Sequence, residues 1–90
     1  MKAILITTEY RGVFFGLVAP ETDLTQRTLT DIKSCRMAIN WRNGKGVQGL
    51  ASDGPDNNCK IGSASDVEVM HGVTAVFTVT DEAREKWMTA

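Results

Sequence analysis

The chain has 90 residues, 42% of them hydrophobic and 23% charged, with a formal net charge of −1. That length predicts one domain, 1–90, with a single small core and little spare stability for a deep cleft. The composition excludes a disordered or low-complexity chain. The near-neutral charge gives no whole-molecule attraction for nucleic acid and excludes the strong acidity of a DNA mimic. Charge is unevenly spread: segment 24–52 holds five cations (Arg27, Lys33, Arg36, Arg42, Lys45) against Asp31, which is +4 and leaves −5 for the rest.

Residues 2–7, KAILIT, are apolar and β-branched and predict a first strand. GVFFGLVA at 12–19 predicts a second. Alternation puts Val13, Phe15 and Leu17 on one face and Phe14, Gly16 and Val18 on the other. Both faces are apolar, as in a central strand covered on both sides. PETD at 20–23 is a turn, and TLTDIK at 28–33 resumes a strand. RMAINW at 36–41 alternates, with Met37, Ile39 and Trp41 as its apolar face and Arg36, Ala38 and Asn40 opposite. Asn43-Gly44 then predicts a tight hairpin, because both residues tolerate positive φ, with GVQGLA at 46–51 as the return strand. Residues 52–66 read as an irregular loop, VEVM at 67–70 as a short strand, His71-Gly72 as a turn and VTAVFTV at 73–79 as a last strand. Thr80 can cap a helix over 81–88, where Ala83 and Trp87 are spaced to dock on a sheet. The expected fold is all-β, or a β-dominated α+β fold: a small bent antiparallel sheet or partly open barrel with one C-terminal helix.

The stretch GVQGLASDGPDNNCKIG at 46–62 poses the main chemical question. Its portion 54–61 nearly matches a phosphate-binding P-loop, but Cys59 stands where glycine must precede the lysine, and Ile61 where a hydroxyl must follow it. A calcium loop fails too, since Gly54 and Pro55 fall where ligands should be. Gly54-Pro55-Asp56-Asn57 therefore reads as a turn, with a contact loop as the alternative. Cys35 and Cys59 with His71 fall short of the four ligands of a structural zinc site, and neither cysteine lies in a nucleophile motif. His71, before Gly72, reads as a turn residue rather than a base, and no pair of acids stands out for acid–base work. No catalytic residue, metal or cofactor is expected. The most suggestive constellation is basic. Arg36, Asn40 and Arg42 share a face by period-two spacing, joined by Lys45 and Gln48 on the hairpin and by Lys60. Arginine forks suit phosphate, so these residues are the candidate site for an anionic ligand. Trp41 could stack on a base, but its place beside Met37 and Ile39 favours the core.

The segments RGVFFG (11–16), CRMAINW (35–41), GVQGLASDGP (46–55), CKIG (59–62) and HGVTAVFTVTDEA (71–83) resemble a family of short proteins from tailed phages and prophages. The resemblance covers about nine tenths of the chain. A weaker likeness, carried by residues 11–38, is to SH3-like and Sm-like small β-barrels, strongly bent sheets that often close into rings. The first resemblance implies a phage origin; together with the lack of an acid–base, nucleophile or metal set it leads to the expectation of a phage accessory protein that is not an enzyme. Such a protein would bind a host component or an anionic small molecule such as a nucleotide, as an anti-defence inhibitor or a sponge for a nucleotide signal. The alternative is a structural or assembly role in the virion. Exposed strand edges on so small a core predict a homo-oligomer. The start, with only Ala3 to Ile6 apolar in a row, lacks the core of a secretory signal, and no stretch is long enough to span a membrane. The expected location is the host cytoplasm.

Overall fold

The structure is a computed structural model that describes residues 1–42 and 44–90. Strands β1 (Lys2–Thr8), β2 (Val13–Val18) and β3 (Leu29–Asn40) form an antiparallel meander. After helix α1 (Gly46–Ser52), strands β4 (Lys60–Ile61) and β5 (Ser65–Met70) both return to β3. Strand β6 (Val73–Thr78) pairs with β1, and helix α2 (Asp81–Thr89) ends the fold. The order is β4-β3-β2-β1-β6, with β5 beside the first half of β3. This is a β-dominated, bent antiparallel sheet that does not close.

The alternation in β2 works as its sequence requires. Val13, Phe15 and Leu17 pack with Leu5, Ala38 and the helices on one face, while Val18 joins Ile4, Ile6, Leu29 and Ile32 on the other. The sheet thus has two cores, one under α1 and α2 and one enclosed by its own bend. The bend sits in β3. Asp31 (φ 55) and Ser34 (φ 51) are left-handed, and β3 is one strand through both of them. Opposite, Gly16 lies where the β2–β3 register shifts, and a Cβ there would come within 2.3 Å of Ile32 Cγ2. A glycine is what lets the two strands approach this closely.

Two expectations are corrected. The bends turn the second half of β3 over, so Ala38 is buried and Arg36 half-buried on the helix side, while Met37 (43%) and Ile39 (53%) are the exposed residues. Trp41 is half-buried against the helix-side cluster. Second, residues 46–51 are helix, not a return strand; Asn43 of the expected turn lies outside the described residues. Seven residues cannot hold a helix alone in water. Here the last carbonyls of α1 are each supplied with a donor. Trp87 Nε1 donates to Leu50 O (3.0 Å), Thr80 N to Ala51 O (3.1 Å) and Thr80 Oγ1 to Ser52 O (2.6 Å). Leu50 and Ala51 are buried in the same contact.

Helix α2 carries its own start signal. Thr80 Oγ1 accepts from Ala83 N (3.1 Å), and Asp81 and Glu82 lie in the first turn, at the positive end of the dipole. The ring of Trp87 stacks on Phe15, centroids 5.3 Å apart and 6° from parallel. Among the described residues no helix is long and apolar enough to cross a membrane.

Candidate functional site

The loop after α1 is a built turn. Gly54 (φ +82) and Pro55 are buried, and a Cβ on Gly54 would meet Lys86 Cβ at 2.9 Å and Ala83 O at 3.1 Å. Asp56 then organises the reversal: its Oδ1 accepts from Asn58 N (2.8 Å) and its carbonyl from Cys59 N (3.1 Å). Lys60, the lysine of the near-match to a P-loop, lies in β4. Among the described residues no group of three His, Cys, Asp or Glu is placed to hold a metal ion.

The six basic and amide residues singled out from the sequence are distributed around the helix side. Arg36 reaches across the sheet. Its Nε donates to Gly62 O (2.8 Å) and its Nη1 to Trp87 O (2.9 Å), so its fork joins β3, the turn after β4 and the end of α2. Asn40 and Lys60 face each other across the β3–β4 ladder, both exposed. Arg42 is exposed just beyond β3, and Gln48 is exposed on α1. Lys45 Nζ contacts Asp53 Oδ2 at 2.5 Å. That hydrogen bond lifts the lysine pKa above its usual value and lowers that of the carboxyl. The structure thus brings together Asn40 and Lys60, ties Arg36 into the scaffold and pairs Lys45 with Asp53.

A different set of residues converges at the opposite end of the bend. Left-handed Arg11 (φ 63) reverses the β1–β2 connection, which Thr8 N closes on Gly12 O (2.9 Å). Two further main-chain bonds dock the β5–β6 turn between this connection and the segment before β3: Glu9 N to Gly72 O (3.0 Å) and Val73 N to Arg27 O (2.9 Å). Three turns distant in sequence are thereby fixed around one groove of about 570 Å³. Its apolar part is Phe14, Val69 and Met70, with Tyr10 at the rim, 94% exposed. Its polar part is Thr8, Glu9, Arg27, Thr28 and His71. Arg27 pairs with Glu9, both well exposed, and His71 Nδ1 lies 3.1 Å from Thr28 Oγ1. His71 occupies the β5–β6 turn, before Gly72 (φ +72), as its sequence position predicts.

Chemically the groove offers an aromatic surface beside a guanidinium paired with the Glu9 carboxylate, an imidazole and two hydroxyls. It suits a ligand with a flat ring at one end and an anionic or hydrogen-bonding group at the other. Reading the sequence alone passes over Glu9, Tyr10, Arg27 and Thr28. The one local signal is an aromatic residue, Tyr10, between charged neighbours in a turn. That Arg27 and His71 meet it depends on pairings of strands far apart in the chain.

Fold and site together define a small β-rich domain with a surface groove rather than an enclosed cleft. The chain belongs to the family described as a domain of unknown function, DUF6948, whose pattern matches residues 1–87. No curated protein and no solved structure shows significant similarity to it.

Proposed function

We propose that this chain is a non-enzymatic binding protein whose groove between Tyr10, Phe14, Arg27 and His71 takes a small anionic ligand with a planar ring, a nucleotide being the simplest example. The observation that supports it is the convergence of three turns, held by main-chain bonds, on one surface that sets Tyr10 and Phe14 beside the Arg27–Glu9 pair and His71. Such a surface binds without any reacting group: Thr28 and Arg27, the latter by exchanging Glu9 for the ligand, supply donors for the anion, and Tyr10 a face for the ring. In keeping with the likeness to short phage proteins, the role we assign is that of an accessory protein acting in the host cytoplasm, where sequestering a nucleotide signal would blunt a defence.

Titration calorimetry with nucleoside monophosphates, alongside amide chemical-shift mapping, tests this. Shifts are expected at residues 9–11, 27–28 and 71–72. Arg27→Ala and Tyr10→Ala should each weaken binding by about tenfold or more, the effect of losing a charge-assisted hydrogen bond or a stacking face. Shifts confined to Asn40, Arg42 and Lys60 would move the site to the basic edge of β3. No binding by any nucleotide would remove the reading.

A further inference from the structure

The strand edges of the sheet are not alike. The outer strand β5 carries Asp66 and Glu68, and β4 is two residues long and carries Lys60. Short length and charge are the ordinary devices that keep an edge from pairing with another chain. Strand β6 has neither. It runs six residues, VTAVFT, with no ionisable side chain and no proline, and β1 is its only strand partner among the described residues. Its side chains are also incompletely covered. Ala75, Val76 and Phe77 are half-buried, Val76 against the core inside the bend and Phe77 against the core under the helices. An edge with apolar residues half-covered on both faces would bury them if a further strand were added.

We infer that β6 is the pairing edge for a second copy of this chain, making a two-fold dimer whose two sheets continue through an antiparallel β6–β6 seam. A second copy fits because an uncharged edge meets its own image without opposing like charges, and an antiparallel seam is self-complementary. The register follows from symmetry. A two-fold axis normal to the sheet keeps each face on its own side, so residues opposed across the seam come from same-face positions. Centring the axis on Val76 opposes it to the partner's Val76 and Ala75 to the partner's Phe77; Thr74 falls at the end of the seam, at the β1–β6 bulge, where its hydroxyl lies 2.7 Å from that of Thr7. Small then faces large on the helix side. Centring it on Ala75 would recruit Val73, whose N–H is already held by Arg27 O at 2.9 Å.

Residues 74–78 line no part of the groove, so the seam stands or falls apart from ligand binding. The test is native mass spectrometry and sedimentation of the full chain over a dilution series. Wild type is expected at twice the 9.8 kDa chain mass. Thr74 and Thr78 are exposed, and Thr74 gives up only its exposed bond to Thr7 Oγ1, so Thr74→Lys/Thr78→Lys should keep the native circular dichroism while bringing lysines of both copies together at each end of the seam and losing the dimer. Mixing it with Thr74→Glu/Thr78→Glu should restore a mixed dimer, which two misfolded chains would not do. A wild-type monomer throughout the series, a dimer that survives both lysines, or the absence of a mixed dimer would each overturn the inference.

Discussion

The guanidinium of Arg36 serves two carbonyls that the regular elements leave over. Gly62 O lies just beyond β4, and Trp87 O is in the last turn of α2, where helix carbonyls have no partner of their own. Both bonds are partly shielded from water, so each is costly to lose. Arg36→Met keeps the stem but removes both donors. It should lower stability by about 1–3 kcal/mol, read as a lower urea midpoint with an unchanged slope. Arg36→Lys should recover only part of this, because one ammonium on a flexible stem cannot replace a planar fork. Nucleotide binding at the groove should be unaffected by either change, which separates a scaffold arginine from a ligand-binding one.

At the scale of elements, α1 and α2 are mutually dependent. The indole of Trp87 and the backbone and hydroxyl of Thr80 satisfy the carbonyls that end α1, while α1 buries the face on which α2 docks. Trp87→Phe retains a ring over Phe15 but leaves Leu50 O without its donor. The expected cost is about 1–3 kcal/mol, with faster amide exchange concentrated at the end of α1, at Asp53, whose N–H bonds Gly49 O. Uniformly faster exchange across β1 and β2 would contradict this local account. The same dependence explains what the sequence could and could not disclose. β1, β2, β6 and α2 were legible because their signals are local: β-branched runs, two-sided alternation, and Thr80 before Asp81 and Glu82. α1 was not, because its donors lie at 80 and 87, far beyond the reach of the Asn-Gly hairpin signal. The face of β3 was misread for a related reason. Asp31 and Ser34 are left-handed inside a strand, and such a bend reverses which residues point inward. Of the candidate site, the turn at His71-Gly72 was visible, but its meeting with Glu9, Tyr10 and Arg27 rests on tertiary pairing.

On the scale of the whole molecule, one thin sheet separates two cores, and β1 and β2 contribute to both. Leu5 and Phe15 face the helices, while Ile4, Ile6 and Val18 face the inside of the bend. Neither core can be lost without stripping one side of the same two strands, so the layers should melt together although few side chains span them. The molecule carries a reporter in each. Trp87 is fully buried under the helices, and Cys35 is buried inside the bend, where desolvation pushes its thiol up to about 11. A shielded, protonated thiol does not react, so labelling of Cys35 reports opening of the second core. In a Cys59→Ser background, the urea transitions followed by tryptophan fluorescence and by Cys35 labelling are expected to coincide. Leu5→Ala and Ile6→Ala, one on each face, should each cost about 2–5 kcal/mol and move both probes by the same amount. Separated transitions, with Leu5→Ala shifting only the fluorescence and Ile6→Ala only the labelling, would show two cores folding independently on a shared sheet.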